Sequence, residues 1–189
     1  MRRRLAAAAA TLLALGGCAI APLGAPAPSL QNITKARAAG IAPVTLGAFR
    51  LAQGVDPAVD QRIVIRSNTL HSPFGSSFAA YLRETLAADL RAAGLLDAAS
   101  PVVITGELVD SRIDVPMGTA PASGAVSARF AVTRLGTKVY EREFTARSEW
   151  MTTFLGVETI PMAMGRYELL YRELAAMLLD DPSFQRAAR

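Results

Sequence analysis

The chain has very little cysteine and histidine, with one residue of each. A single cysteine excludes a disulfide within the chain, and one cysteine with one histidine cannot build a Cys/His zinc site. The N-terminal apolar run from Leu5 to Leu15 is also short. It spans about 16 Å as a helix, too little for a hydrocarbon core about 30 Å thick. The sequence therefore predicts no metal site and no transmembrane anchor.

Apolar residues, in contrast, are plentiful enough for a folded core. Of the 189 residues, 51% are hydrophobic and 19% are charged. This composition is too apolar for a disordered chain, and the length suits one domain of ordinary size.

The N-terminus has the layout of a secretory signal peptide. Arg2, Arg3 and Arg4 precede the apolar run, and Gly16-Gly17-Cys18 follow it. A basic start, a short apolar stretch and small residues at the cut define such signals. We predict a signal peptide over residues 1–17, cleaved between Gly17 and Cys18.

Removing this signal peptide changes the charge. The whole chain carries 20 basic and 16 acidic side chains, a net charge of +4. Three arginines leave with residues 1–17, so 17 basic and 16 acidic side chains remain, a net charge of +1. The high isoelectric point therefore gives no support for nucleic acid as a partner.

Leu15-Gly16-Gly17-Cys18 resembles the lipobox of bacterial lipoproteins. The resemblance implies that Cys18 is acylated and becomes the new N-terminus. It also implies an outer-membrane location facing the periplasm, because Ala19 stands where an inner-membrane retention Asp is common. The alternative is an ordinary signal peptide with an incidental cysteine. Two or more acyl chains give stable anchoring.

Residues 18–43 are rich in Ala and Pro, and we interpret them as a flexible tether with a coil dimension of about 30 Å. Residues 44–184 form the predicted single periplasmic domain, and 185–189 a C-terminal tail. Hydrophobic periodicity within the domain predicts the order β-β-α-β-β-β-α. The first predicted elements are strands at Val44–Ala52 and Arg62–Ser67, the second with Ile63 and Ile65 on its buried face, and a helix from Ser72-Pro73 to Leu95 with Gly94 as its C-cap. They are followed by a strand from Val102 to Val115 with a bulge near Asp110, a hairpin over Ala125–Trp150 that turns at Leu135-Gly136, and a helix over Ile160–Leu179. This grouping predicts an α+β two-layer sandwich, with two amphipathic helices on one face of a small antiparallel or mixed sheet.

Residues with catalytic chemistry do not form a recognisable set. His71 is the only histidine, Ser76 and Ser77 lie too near it in sequence for a triad, and there is no G-x-S-x-G elbow. Asp180 and Asp181 sit at a helix end, where we expect a structural role among solvated residues. A basic surface is conceivable from five arginines, but three glutamates on the hairpin would offset it; the arginines are Arg62, Arg66, Arg129, Arg142 and Arg147, and the glutamates are Glu141, Glu143 and Glu149. We therefore predict no catalytic residue, no metal ligand and no cofactor.

An apolar segment between the last strand and the last helix is the main candidate contact site. It includes Trp150, Met151, Phe154 and Leu155. Such a segment either closes the core or forms a hydrophobic rim that contacts a protein partner or lipid. The loop Pro116–Ser123 could be a flap beside it.

The element order on a lipobox tether resembles a group of small periplasm-facing lipoproteins. The group includes YajG-type lipoproteins, the LPS-assembly lipoprotein LptE and the auxiliary lipoproteins of lipid-transporting ABC and MCE systems. The resemblance covers residues 44–184 and is carried by four stretches. These are Phe78–Leu95, whose end reads AAGLLD, Val102–Asp110, the hairpin Ala125–Trp150 and the closing helix Tyr167–Asp181. It implies no catalytic residues.

We therefore expect a non-enzymatic, outer-membrane-anchored adaptor in cell-envelope biogenesis or maintenance, with an envelope protein as partner. The alternative is a carrier of lipid or another small apolar ligand, accessory to an envelope lipid-transport system. An apolar cavity larger than about 300 Å³ between helices and sheet would favour the carrier.

Overall fold

The computed structural model describes residues 20–189. The predicted signal peptide, its cleavage site between Gly17 and Cys18, and the predicted acylation at Cys18 all lie outside these residues. They stay predictions.

Seven strands and five helices occur in the described part of the chain. The strands are β1 (Ile20–Pro22), β2 (Thr45–Leu51), β3 (Ile63–Ile65), β4 (Asn68–His71), β5 (Val102–Asp114), β6 (Pro121–Arg134) and β7 (Thr137–Met151). The helices are α1 (Leu30–Ala38), α2 (Ala58–Gln61), α3 (Phe78–Ala93), α4 (Gly156–Asp180) and α5 (Pro182–Ala187).

The main sheet has four strands in the order β2-β5-β6-β7. β2 runs parallel to β5, and the other two pairings are antiparallel. Helices α3 and α4 pack on one face of this sheet, so the α+β fold with a mixed sheet is confirmed. The predicted bulge near Asp110 is also present, as a register shift between Leu108 and Asp110.

The β6–β7 hairpin turns at Leu135-Gly136, as predicted. Both residues have positive φ, 48° and 81°, and Arg134 pairs with Thr137 across the two-residue loop. Positive φ at both central positions is the geometry that matches the twist of antiparallel strands.

Helix α3 begins later than predicted, at Phe78 instead of at Ser72-Pro73. Gly75 and Ser76 both adopt left-handed backbone angles, which a right-handed helix cannot include. The N-cap is Ser77, whose Oγ accepts a hydrogen bond from the Ala80 backbone N–H at 3.0 Å. At the other end Gly94, with φ 78°, is the C-cap that we predicted.

The predicted single strand Arg62–Ser67 is instead a small hairpin of β3 and β4. Its turn lies at Arg66-Ser67, where Arg66 has a φ of 54°. β1 joins β4 in parallel and completes a three-stranded sheet. The alternating apolar pattern of Ile63 and Ile65 was assigned correctly as a buried face, but the turn within the stretch was missed.

The predicted flexibility of residues 18–43 is corrected from Ile20 onward. This segment contains β1 and α1, and it buries Leu23, Ala36 and Ile41. The predicted C-terminal tail is corrected too, because α5 includes its first residues and both Phe184 and Ala188 are fully buried. Apolar side chains at both ends therefore belong to the same hydrophobic core.

The space between helices and sheet is filled by large side chains. The core side chains that are no more than 1% exposed include Phe78, Leu82, Phe130, Tyr167, Leu170 and Tyr171. The rings of Phe78 and Tyr167 meet edge to face with centroids 5.4 Å apart. The buried stripe predicted for α4 is thus present, although α4 starts one turn earlier than predicted and contains Pro161.

Three hydroxyls form a closed hydrogen-bonded triad inside this core. Ser111 Oγ lies 2.5 Å from Tyr167 Oη and 3.1 Å from Tyr171 Oη, and the two tyrosine hydroxyls are 2.8 Å apart. Burial raises the pKa of Tyr167 and Tyr171. Each hydroxyl can donate once and accept, so all three are satisfied without water.

Candidate functional site

The four residues predicted as a contact site separate into a core residue and exposed ones. Trp150 is 8% exposed and belongs to the core, whereas Met151, Phe154 and Leu155 are 57%, 74% and 53% exposed. The Trp150 indole Nε1 has no hydrogen-bond partner among the described residues. The segment therefore closes the core at Trp150 and is exposed at the other three residues, whose contact with a protein partner or lipid stays a prediction.

The exposed members belong to a larger apolar surface at one end of the main sheet. We call it the apolar end, and it consists of Met117, Met151, Phe154, Leu155 and Val157. Met117 comes from the β5–β6 loop, and Phe154, Leu155 and Val157 from the start of α4 and the residues before it. An open groove of about 640 Å³ runs through it, lined by Arg66, Ser67, Met117, Phe154, Gly156 and Ile160.

Arg66 ties together the three segments that build the apolar end. Its Nη2 donates to the carbonyl oxygens of Pro116 at 2.8 Å and Thr153 at 2.9 Å, and its Nε donates to the Pro116 carbonyl at 3.2 Å. The β3–β4 turn is thereby fixed to the β5–β6 loop and to the β7–α4 connection. Sequence reasoning treated Arg66 only as a surface charge, since nothing local indicates these carbonyl partners.

Threonines hold the rest of this end in place. Thr152 Oγ1 donates a hydrogen bond to the Gly118 carbonyl of the β5–β6 loop at 2.7 Å and accepts one from the Ala120 N–H at 3.1 Å. Thr159 Oγ1 accepts from the Thr153 N–H at 3.1 Å. The predicted flap, Pro116–Ser123, is therefore hydrogen-bonded to Thr152 at both Gly118 and Ala120. These hydrogen bonds fix the backbone that carries the exposed apolar side chains.

A second surface is the face of the main sheet opposite the helices, which we call the open sheet face. Four charged side chains cross it in direct register, one from each strand: Arg50, Glu107, Arg129 and Glu143. Successive N–O distances are 3.0, 3.1 and 3.1 Å. Alternating signs make this charge ladder neutral, and Arg129 with Glu143 is one pair of the predicted offset of arginines by glutamates on the hairpin.

A shallow groove of about 280 Å³ accompanies the charge ladder. Small and polar side chains line it beside the charges, among them Ala48, Thr105, Ala131 and Thr133. Ser127 and Thr145 add a cross-strand hydroxyl pair at 2.8 Å. Cross-strand pairs of this kind fix side-chain positions on a sheet surface.

Both edges of the main sheet carry features that disfavour the addition of a strand. Along β7, exposed charges follow one another at Lys138, Glu141, Arg147 and Glu149, and charged side chains discourage edge pairing. β2 carries a bulge between Leu46 and Phe49. Arg83 also donates to the Leu46 and Gly47 carbonyls at 3.4 Å. The strand edges are thus poor contact sites.

The isolated polar candidates have structural partners. His71 Nδ1 lies 3.0 Å from the Gln61 carbonyl oxygen. The Ser77 hydroxyl, which is also the α3 N-cap, donates to Asp60 at 3.2 Å. Within residues 20–189 no group of three or more His, Cys, Asp or Glu side chains is arranged to hold a metal ion.

Asp181 is not solvated as we expected, because it is 4% exposed. Tyr140 Oη donates to its Oδ2 at 2.7 Å, Arg142 Nη1 to the same oxygen at 3.0 Å, and the Ser183 N–H to Oδ1 at 2.8 Å. Burial acts to raise the pKa of Asp181, but these three hydrogen bonds outweigh it and lower the pKa. Asp180 beside it pairs with Lys35 at the surface.

The fold is similar to that of a Xanthomonas campestris protein of the DUF330 family, with a TM-score of 0.53 and 10% identity over 85% of this chain and 92% of that one. For a minor lipoprotein from Acinetobacter baumannii, the TM-score is 0.47 and the identity 16%, over 78% of this chain and 96% of that one. For a candidate lipoprotein from Caulobacter crescentus, the TM-score is 0.43 and the identity 12%, over 59% of this chain and 84% of that one. No protein-family model and no curated protein matches the chain. At these identities the likeness concerns the fold alone.

None of the helices between residues 20 and 189 combines the length and apolar character needed to cross a bilayer.

Proposed function

We propose that this chain is an outer-membrane lipoprotein, acylated at Cys18, whose periplasmic domain is a non-enzymatic adaptor in the cell envelope. The signal peptide and lipobox of residues 1–18 support the anchoring. The resemblance to YajG-type lipoproteins, LptE and the auxiliary lipoproteins of lipid-transport systems supports the envelope role. An envelope protein is the proposed partner.

The observation that carries the adaptor role is the open sheet face with its charge ladder. Arg50, Glu107, Arg129 and Glu143 are already paired in register, so binding a partner there costs little side-chain ordering. Alternating charges also favour a partner whose own charges alternate in the matching order. Because both strand edges disfavour an added strand, this face is the surface on which a protein would dock.

The carrier alternative finds less support in the packing. A carrier needs an apolar space between helices and sheet, and that space is occupied by Phe78, Phe130, Tyr167 and Tyr171. The groove at the apolar end is open, in contrast, and is bordered by Arg66 and Ser67. An adaptor therefore explains more of the surface than a carrier does.

Anchoring is tested by replacing Cys18 with Ala. The variant is expected to lose its acyl chains and to leave the membrane fraction of the cell envelope, whereas a Thr137→Ala variant, altered at an exposed residue beside the β6–β7 turn, is expected to stay there. Continued membrane fractionation of the Cys18→Ala variant would contradict the anchoring.

The adaptor role is tested with a photo-crosslinking amino acid placed in cells at Ala48 or Ala131 on the open sheet face. Ala92, an exposed residue of α3 on the helical side, is the matched control. We expect a defined envelope protein to be captured from Ala48 and Ala131 and not from Ala92. If no protein is captured from any of the three positions while the variants are present at normal levels, the adaptor role is contradicted.

A further inference from the structure

We propose that the apolar end is a membrane-seating surface, which rests in the headgroup region of the same leaflet that holds the acyl chains of Cys18. The proposal builds on the acylation of Cys18 and adds an orientation. The domain would stand with the apolar end at the bilayer and the β6–β7 turn away from it. The occupant of this surface is lipid.

The first argument is the length of chain between the anchor and the folded domain. Cys18 precedes Ile20 by two positions, and two residues span at most about 7 Å. Ile20 is already paired with Thr69 in the small sheet. An anchor at Cys18 therefore leaves the domain no room to move clear of the headgroups.

The second argument is where the folded chain begins. β1 is parallel to β4, and its first residue pairs with Thr69, near the start of β4. β4 leaves directly from the Arg66-Ser67 turn, and both turn residues line the groove of the apolar end. The described chain therefore begins close to this groove, and the two residues that separate Ile20 from the proposed anchor add a reach of at most about 7 Å.

The third argument is the chemistry of the surface. Eleven large apolar side chains are exposed among the described residues, and the apolar end holds five of them. Scattered apolar residues are ordinary, but a cluster at one end marks an interaction surface. Phe, Leu, Met and Val side chains suit insertion by about 5–10 Å at the boundary of headgroups and acyl chains.

The charges at this end are compatible with a headgroup layer. Arg66 has its guanidinium hydrogen-bonded to backbone carbonyls and presents a positive charge beside the groove, where lipid phosphates are the available anions. The acidic neighbours are Glu158, which accepts a hydrogen bond from Thr153 Oγ1 at 3.3 Å, and the exposed Asp114 and Glu149, which flank Ser123 on the neighbouring strands. These groups can remain in the polar layer while the apolar side chains enter.

The test uses the acylated full-length protein, reconstituted into vesicles of phosphatidylethanolamine and phosphatidylglycerol. Acylation blocks Cys18, the only native cysteine, so one introduced cysteine can carry an environment-sensitive fluorophore. Leu155→Cys probes the apolar end. Leu135→Cys is the matched control, an exposed leucine (82%) in the β6–β7 turn, about 40 Å away along the strands.

We expect the label at position 155 to shift to the blue on reconstitution and to be quenched by lipids with a nitroxide near the headgroup. The label at 135 should show neither effect. Adding Phe154→Glu and Val157→Glu should lower quenching at 155 to the level at 135, while circular dichroism stays unchanged because both residues are exposed.

Flotation of the vesicles separates the two levels of the proposal. If the protein floats with the vesicles but the label at position 155 behaves like the label at position 135, the lipid anchor is supported and the membrane seating is contradicted. Protein that does not float overturns both. In cells, a photo-crosslinker at Phe154 is expected to capture lipid, and capture of an envelope protein or of a second copy of the chain would also overturn the seating.

Discussion

The hydroxyl triad of Ser111, Tyr167 and Tyr171 is a fully satisfied polar group inside an apolar core. Removing one hydroxyl leaves two buried neighbours short of a partner. We expect Tyr167→Phe to lower the free energy of unfolding by about 1–3 kcal/mol, measured by urea denaturation. Tyr81→Phe is the control, because its ring packs against Tyr171 at 5.1 Å while its hydroxyl lies outside the triad. Equal losses in the two variants would show that the triad contributes nothing.

Asp181 should make stability depend on acidic pH. Its pKa is lowered in the folded state. Its ionised form therefore stabilises the fold above the ordinary aspartate pKa of about 3.9. This stabilisation is lost as the pH falls through the lowered folded-state value.

Tyr140→Phe tests this contribution. The variant lacks one donor to the carboxylate, so it should lose about 1–3 kcal/mol of unfolding free energy at pH 7. Urea denaturation at pH 7 and pH 3 should show the deficit shrinking at the lower pH, because the carboxyl of the unfolded chain is mostly protonated there and the advantage of the ionised folded form decreases. Lys138→Ala, at the exposed pair with Glu141, should show little deficit at either pH. A Tyr140→Phe deficit independent of pH would contradict the role of the ionised carboxylate.

At the scale of elements, α1 is held to the domain by buried hydrogen bonds. Asn32 Nδ2 donates to Asp89 Oδ2 at 2.8 Å and to the Arg172 carbonyl at 3.0 Å. Asp89 also accepts from the Ser29 N–H at 2.7 Å. Burial raises the pKa of Asp89, against the opposing effect of these two donors. One asparagine therefore joins α1 to both α3 and α4.

Asn32→Ala should release α1 without unfolding the sheet. The variant leaves the Asp89 carboxylate with one donor fewer in a buried site, which is costly. We expect hydrogen exchange, followed by mass spectrometry, to speed up across residues 20–41 while the β5–β7 region keeps its protection. Gln31→Ala, an exposed neighbour on the same helix, should change neither region. Unchanged protection of residues 20–41 in Asn32→Ala would refute this docking.

The elements that the sequence predicted well are those with long, strong periodicity. In β5–β7 and α4, burial alternates or repeats over 13 to 25 residues, so the pattern is visible without tertiary information. α1 buries little more than Asn32 and Ala36. Its stability comes from partners 57 and 140 residues away, and an Ala/Pro-rich composition alone resembles a tether.

The candidate site was predictable in part for the same reason. Met151, Phe154 and Leu155 are adjacent in sequence, so their apolar run was evident. Met117 and Arg66 join them only through the tertiary fold, with Arg66 bonding to carbonyls 50 and 87 residues away. The charge ladder required strand register, which sequence patterns do not provide.

For the whole molecule, the ordered segment from Ile20 onward means that a lipid anchor at Cys18 would also orient the domain. With a flexible tether of about 25 residues, the domain would sample positions up to about 30 Å from the bilayer. With β1 beginning at Ile20 and the proposed anchor at Cys18, the sheet would instead extend away from the leaflet. The open sheet face and its charge ladder would then face sideways, accessible to a partner in the periplasm.

Lengthening the anchor should weaken this orientation. A 12-residue Gly/Ser insertion between Ala19 and Ile20 adds a coil dimension of about 20 Å, which lowers the effective concentration of the apolar end at the bilayer. In the reconstituted Leu155→Cys protein, we expect quenching by nitroxide lipids to fall while the urea midpoint stays unchanged. The same insertion between Ala98 and Ala99, in the exposed loop before β5, should leave quenching as it was. Equal quenching with and without the N-terminal insertion would mean that the short connection to Cys18 does not hold the domain against the membrane.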